Sequence, residues 1–211
     1  MLSLSGEGYD RKRVLMVKIS LLIIFAFLSG SIPVGVIIAK VKGVDIKKVG
    51  SGNIGATNVL RSLGRWPAAL TLLGDMLKGT AAVALGRYFE VGTLYEGIIG
   101  FSAILGHNFS LFLGFKGGKG VATSLGVLLF YSPFAAFITF IIWLVVVLST
   151  KYSSLGALVS FGLLPLSIYV VDYSKEKLFV AFLITVFIVI RHKNNIQRLK
   201  KGTERKIGQR A

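Results

Sequence analysis

Near-continuous apolar runs, separated by short polar or basic segments, decide what this chain can fold into. Seven of them cover residues 19–39, 66–86, 93–113, 121–131, 133–150, 154–171 and 178–190. Runs of about 18 or more apolar residues read as membrane-spanning helices. Irregular backbone in hydrocarbon would leave its N–H and C=O groups unpaired. The sequence therefore predicts an all-α integral membrane protein with about seven transmembrane helices. Composition agrees, since 54% of the residues are hydrophobic and only 16% charged, whereas about a quarter of a soluble domain is charged. The fourth run, 121–131, is short against the usual minimum of about 17 residues. Proline turns its predecessor away from helix, so Ser132-Pro133 predicts a tight hairpin after a tilted or partly sunken fourth helix.

Charge sets the orientation. Seven crossings put 40–65, 114–120, 151–153 and 191–211 on one side, with 6, 2, 1 and 8 Lys and Arg residues. The other side holds 4 before the first run, then Arg87, Lys175 and Lys177. Basic loops stay inside, so the N-terminus is expected outside and the C-terminus in the cytoplasm. The Arg11-Lys12-Arg13 cluster opposes this assignment, and fusing the fourth and fifth runs would separate 114–120 from the basic tail. Residues 1–15 read as a native overhang, an upstream start or an expression remnant, and 16–211 as one transmembrane domain. The basic cluster mimics a signal peptide, but Ile19–Ala39 is long enough to span and reads as a retained anchor. The net charge of +16 suits anionic lipid or an anionic substrate. Nucleic acid is a poor partner, because the basic residues flank spans and form no soluble domain. The absence of cysteine excludes disulfides, thiolate metal sites and covalent thioester chemistry.

Three polar segments resist explanation as spans or simple turns, and the seven-helix topology places all of them on the cytoplasmic side. The first, VGSGNIGATNVLRSLG (49–64), contains a literal G-x-G-x-x-G. That fingerprint needs a strand before it and a helix after it within a βαβ unit. Here both neighbours are spans, and the apparent ribose acid, Asp75, falls inside the next one. The second, GHNFSLFLGFKGGKGVATSLG (106–126), imitates a phosphate loop, but Gly120 stands where a Ser or Thr would hold magnesium. The third is RHKNNIQRLKKGTE (191–204).

The physics behind both false matches still applies. Glycines allow close backbone approach and N–H nests that cradle anions. Ser51, Asn53, Thr57 and Asn58 add neutral donors beside Gly50 and Gly52, and Arg61 suits a bidentate phosphate clamp. Lys116 and Lys119 flank Gly117 and Gly118; after Gly120, Val121-Ala122-Thr123 opens a helix whose N-terminus favours negative charge. Two such loops predict two phosphate sites or one large one. Gly55, Gly64, Gly100 and Gly126 read instead as helix-packing glycines. His107-Asn108 is read equally as a helix cap or as part of the site, and His192 with Asn195 as site residues or a solvated face. Arg198, Lys200 and Lys201 suit lipid anchoring. Asp75 and Lys78, three apart within a span, suit a structural ion pair.

With two histidines, nine acids and no cysteine, most catalytic constellations are missing. Phe112 follows His107, and Gln197 follows His192, at the offset where glycerolipid acyltransferases carry an H-x4-D aspartate. No metal-ligand cluster is visible, and no cofactor is expected. Acyl transfer from an activated phosphate anhydride fits a cationic, donor-rich site, because its leaving group needs charge stabilisation above all. A phosphate or organophosphate transporter is the alternative from another class.

The segments SGNIGATNVLRSLGR, GHNFSLFLGFKGGKGVATSLG and HKNNIQRLKKGTE, with LGDMLKG and KYSSLGA between them, resemble the bacterial acyl-phosphate:glycerol-3-phosphate acyltransferases, the PlsY family. The resemblance runs from about Lys18 to Glu204. It implies a bacterial inner-membrane enzyme that moves a fatty acyl group from acyl phosphate to the 1-hydroxyl of glycerol 3-phosphate. The products would be lysophosphatidic acid and phosphate, made in phospholipid biosynthesis, and a monomer facing the cytoplasm is expected. Ser51, Arg61, Lys119 and His192, which fall within its motifs, are the candidate catalytic residues. The resemblance implies substrate or phosphate binding by Gly52, Asn53, Thr57, Asn58, His107, Asn108, Gly117, Gly118, Gly120 and Asn195, and a structural role for Glu204; Lys116 and Thr123 join the binding set from the loop's charge and the helix start alone.

Overall fold

The computed structural model describes residues 4–209, with side chains from Asp10 onward, and contains no strand among them. The helices are α1 (Leu4–Ser31), α2 (Val34–Val41), α3 (Ala56–Leu63), α4 (Arg65–Tyr88), α5 (Thr93–Asn108), α6 (Val121–Tyr131), α7 (Pro133–Thr150), α8 (Ser153–Gly162), α9 (Leu164–Val171), α10 (Lys175–Arg191) and α11 (Lys193–Lys200). A short 3-10 turn, Leu111–Leu113, follows α5. Of the expected N-terminal overhang, residues 1–3 lie outside the described range, and the backbone from Leu4 onward simply extends α1.

Every predicted apolar run is helical, and prolines explain most of the interruptions. The first run breaks at Ile32-Pro33 into α1 and α2, because proline offers no N–H to the preceding turn. Pro165 stands at the start of α9, which bends 44° from α8. The expected hairpin is present: Ser132 is extended (φ −153°) and Pro133 opens α7. Four stretches, Asp10–Val41, α4, Thr93–Leu113 and α7, are long and apolar enough to cross a bilayer. The bent pairs α8–α9 and α10–α11 raise that number to six. At 11 residues, α6 does not reach across by itself.

The burial pattern is that of a chain dissolved in lipid. Large apolar side chains such as Leu21, Phe25, Leu73, Leu77 and Phe182 face outward, while Ser31, Thr71, Ser102 and Ser160 are buried. Buried hydroxyls tie helices together: Ser102 Oγ donates to the Ile23 carbonyl (2.9 Å) and Thr185 Oγ1 to that of Phe161 (2.7 Å). Because lipid gives helices no hydrophobic reason to associate, close backbone contact through small residues takes over. Gly30 and Gly106 bring α1 against α5, and Gly79 and Gly126 bring α4 against α6, each facing the partner's backbone. Gly100 packs on Val83 and Val127, as the packing reading requires. Gly64 does not pack; it turns the chain between α3 and α4 at φ +90° with open space beside it. Gly55 caps the start of α3.

Asp75 and Lys78 pair inside α4, as expected, at 2.8 Å. Lys78 Nζ also donates to the Ile32 carbonyl at the α1–α2 break (3.1 Å), and His107 Nδ1 lies 3.3 Å from Asp75 Oδ1. This buried group connects α1, α4 and α5 directly behind the polar segments.

Candidate active site

A cavity of about 630 Å³ collects the three polar segments. Its polar end is lined by Ser51, Asn53, Thr57, Asn58, Arg61, His107, Lys119, His192 and Asn195, together with Ser153, Ser154, Arg198 and Glu204. The first turns of α3, α6 and α8 all contribute to this wall, through Ala56-Thr57, Val121-Ala122 and Ser153-Ser154. The orphan N–H groups of a helix start carry partial positive charge and attract anions. Three such starts and four cationic side chains, Arg61, Lys119, Arg198 and Arg205, therefore surround one space. The two loops thus face one cavity rather than two.

The first segment builds its loop through Asn58. Its Oδ1 accepts the Ser51 N–H (2.9 Å), while its Nδ2 donates to the carbonyls of Ile46 (3.2 Å) and Val49 (3.1 Å). Asn58 thus shapes the loop with the groups it was expected to offer a ligand. Gly52 is left-handed (φ +68°), gives its N–H to Val49, and does not line the cavity. Ser51 stands exposed at the rim, and Thr57 Oγ1 meets Ser153 Oγ at 3.1 Å.

The glycine loop differs more from expectation. The N–H groups of Gly117 and Gly118 are committed to the carbonyls of Asn108 (3.1 Å) and His107 (3.0 Å). They are not donors for a ligand. These glycines instead permit close approach: a Cβ on Gly118 would strike the His107 ring, and one on Gly117 the His107 carbonyl. Gly120 takes the left-handed conformation (φ +80°) that turns the chain into α6 and puts Lys119 in the cavity wall. Lys116 is exposed and stands apart from the lining, while Asn108 and Thr123 are buried outside it. Burial, added to the charges of Arg198, Arg61 and Arg191 and offset in part by Glu204, lowers Lys119 to about 8.

The third segment supplies the opposite wall. His192, just beyond the end of α10, is 2% exposed and its Nδ1 lies 2.8 Å from the Ile188 carbonyl. Burial and the Lys119 charge pull it down to about 4, so it is neutral at physiological pH. Donation from Nδ1 leaves Nε2 as the acceptor. Asn195 Nδ2 donates to Glu204 Oε1 (2.7 Å), which also receives Ser154 Oγ (2.7 Å), and Arg198 Nε binds Glu204 Oε2 (2.7 Å). Although burial works against it, these donors hold the Glu204 carboxyl below its usual range. Glu204 is therefore both structural and part of the wall. Arg61 Nη2 reaches the carbonyls of Arg205 (2.8 Å) and Lys206 (3.3 Å), which fastens the C-terminal tail over the polar end. Arg61 Nε and Asn195 Oδ1 are buried without partners among the described residues.

Beyond the polar end the cavity becomes an apolar groove along α4, α6 and α7, lined by Leu72, Met76, Leu125, Leu129, Phe137 and Phe140. It follows α6 for about 12 Å, from Val121 to Leu129, at 1.5 Å per residue. Leu72, Leu129, Phe137 and Phe140 are also exposed on the outer surface, so the groove opens sideways toward lipid. Sequence reading missed this half, together with Ser153, Ser154 and Arg205. Its residues carry the same apolar signal as lipid-facing ones.

A cationic end continuous with a lipid-accessible groove gives this membrane protein one cavity with a polar and an apolar half. The chain belongs to the glycerol-3-phosphate acyltransferase family, whose pattern it matches over residues 20–202. It is 46% identical to a glycerol-3-phosphate acyltransferase of Thermus thermophilus, over 90% of this chain and 95% of the relative. With that of Geobacter sulfurreducens the identity is 43%, over 85% and 92%. A crystal structure of PlsY, an integral membrane glycerol 3-phosphate acyltransferase in its glycerol 3-phosphate form, superposes with a TM-score of 0.86 at 42% identity, covering 90% of this chain and 96% of that one. The lysophosphatidic acid form gives 0.84 at 41% identity, with the same coverage. The chain is thus an integral membrane acyltransferase, and the transporter alternative falls away.

Proposed function

We propose that this enzyme takes its fatty acyl group from acyl phosphate and delivers it to the 1-hydroxyl of glycerol 3-phosphate, releasing lysophosphatidic acid and inorganic phosphate. The observation that carries this reading is the continuity of the cationic end with the apolar groove. The groove takes the acyl chain from the bilayer, while Lys119 and the α3, α6 and α8 starts hold the phosphate leaving group and Arg61 grips glycerol phosphate. The 1-hydroxyl oxygen attacks the acyl carbonyl, the carbon–phosphate oxygen bond breaks, and phosphate leaves with the electron pair. Orientation of two bound reactants is worth roughly 7–11 kcal/mol, and fixed donors at the developing charge add to it.

The hydroxyl proton passes to a substrate phosphate oxygen. His192, at about 4, is a weak base under physiological conditions. The other ionisable groups lining the cavity are cations, the engaged carboxyls Asp75 and Glu204, and His107, whose Nδ1 faces Asp75. His192→Ala is expected to lower activity without deleting a pH limb near neutrality. Disappearance of such a limb, with substrate binding intact, would make His192 the base. Ser51 as an acyl nucleophile predicts a hydroxylamine-sensitive adduct on Ser51, whereas direct attack predicts none. The overall reaction is tested by incubating purified protein in detergent with acyl phosphate and glycerol 3-phosphate. Phosphate release that requires both substrates is expected; release from acyl phosphate alone, or transfer only from a thioester donor, would defeat the reading.

Seven crossings, an outside N-terminus and a cytoplasmic C-terminus remain our reading of the topology, in the bacterial inner membrane with the site facing the cytoplasm. Arg191 reaching Gly118 (2.8 Å) supports it. Residues 118 and 191 then share one membrane face, so an even number of passes separates them; α7, α8–α9 and α10 make three, and the short α6, with the loop that leads into it, counts as the fourth. One chain supplies both the cationic wall and the groove, which supports a monomer, and we read 16–211 as one domain.

A further inference from the structure

Arg191 does not line the cavity, yet it is the cation most closely bound to the glycine loop. At the end of α10, its Nη2 donates to the Gly118 carbonyl (2.8 Å) and more weakly to that of Asn108 (3.3 Å). The guanidinium is kept in place by the Phe109 ring, whose centroid lies 5.2 Å away. On the other side of Gly118 stands the buried His107 ring, so close that only a glycine fits. Gly118 is thus held between a ring from α5 and an arginine from α10. A trans peptide is planar, with C=O and N–H pointing in opposite directions. Fixing the Gly118 carbonyl on Arg191 therefore fixes the Lys119 N–H away from Arg191, and no backbone partner takes that N–H among the described residues.

We propose that Arg191 is a positioning residue: with His107 it clamps Gly118, and so aims the Lys119 N–H and side chain at the phosphate of the acyl donor. The inference rests on the assignment of Lys119 to that phosphate. It gives a task to an arginine that stands outside the cavity wall. It also gives a reason for Gly118, whose N–H is already used. Asp75 Oδ1 lies 3.3 Å from the His107 Nδ1.

The charged groups acting on Lys119 are Arg61 from α3, Arg191 from α10, Arg198 from α11 and Glu204 from the tail, with neutral His192 beside them. Removing Arg191 takes away one of the cations that depress Lys119. The alkaline limb of kcat/KM, which reports the free enzyme, is then expected to move upward.

The test compares R191Q, R191K, G118A, H107A, H107A/G118A and K119A in detergent, with acyl phosphate and glycerol 3-phosphate as substrates. R191Q is expected to lose about 10²-fold in kcat/KM for acyl phosphate, the scale of a small misplacement at a reacting centre, and to shift its alkaline limb upward. R191K keeps a donor and the charge, so it should recover at least part of the loss with the limb in place. G118A should lose activity, and H107A/G118A should exceed G118A because the ring that the new methyl meets is gone. R191Q and G118A both acting as the parent would overturn the clamp. Should R191Q not fold, the Gly118 arm decides: no loss in G118A, or no recovery in the double variant, overturns it equally. K119A separates the two levels. If K119A retains parent activity, the assignment of Lys119 fails and the clamp with it. If K119A is impaired while R191Q and G118A are not, the clamp alone fails.

Discussion

Lys119→Ala is expected to lower kcat by about 10²–10³-fold, the usual effect of deleting one preorganised donor to developing charge, with little change in folding. The side chain lies in the wall of the cavity and makes no ion pair of its own among the described residues. Its loss therefore removes a charge from the site without undoing a support. The pH dependence follows from its lowered proton affinity. With a value of about 8, against the ordinary 10.5, Lys119 is charged below that pH and neutral above it. Activity limited by the ammonium form must fall as pH rises through about 8 in the free enzyme. Bound phosphate, being anionic, moves the transition upward in the complex. Lys119→Arg should keep part of the activity and lose the limb, since a guanidinium stays charged throughout. Phosphate-release rates from neutral to alkaline pH check both variants; a limb that persists in Lys119→Arg assigns it to another group.

The sequence made the bilayer-embedded helices readable because lipid imposes one demand, paired backbone groups under an apolar surface, and each apolar run answers it. It was less informative where polar and apolar surface alternate. The α3 and α11 segments, 56–63 and 193–200, carry too few apolar residues to read as spans, yet both are helical. The site was partly legible for the same reason. Ser51, Arg61, Lys119, His192 and Asn195 interrupt an otherwise apolar chain, and the structure brings all five to one cavity. Which neighbour of each pair faces inward depends on packing alone. Lys116 and Lys119 look alike in sequence, but only the second follows the loop into the wall.

The glycines show where motif reading stops. Their abundance signals close approach, but the approaching group has to come from elsewhere in the fold. For Gly118 it is the His107 ring, and for Gly126 the Met76 backbone. The same limit applies to the apolar groove. Phe137 and Phe140 face the groove and lipid at once, and nothing in their spacing separates a substrate contact from a membrane contact.

The other large effect expected is on stability. Asp75→Ala leaves the Lys78 ammonium buried, 8% exposed, with the Ile32 carbonyl as its remaining named partner. Removing one member of a buried ion pair costs about 3–5 kcal/mol, because the remaining charge is left uncompensated. Here the loss spreads further: Asp75 also faces His107 at 3.3 Å, and Lys78 ties α4 to the α1–α2 break. Replacing both charges, as in D75L/K78M, removes the uncompensated ammonium and should recover most of the stability lost in the single variant. Because Asp75 lines the cavity, activity is the wrong readout, and reversible unfolding in detergent is the right one. If D75A unfolds with the parent, the Lys78 ammonium must find another partner once Asp75 is gone, and the pair does not hold these helices together. If D75A is destabilised and D75L/K78M is not, the cost belongs to the stranded charge. If both are destabilised alike, what matters is the link from α4 to the α1–α2 break, which the double variant also lacks.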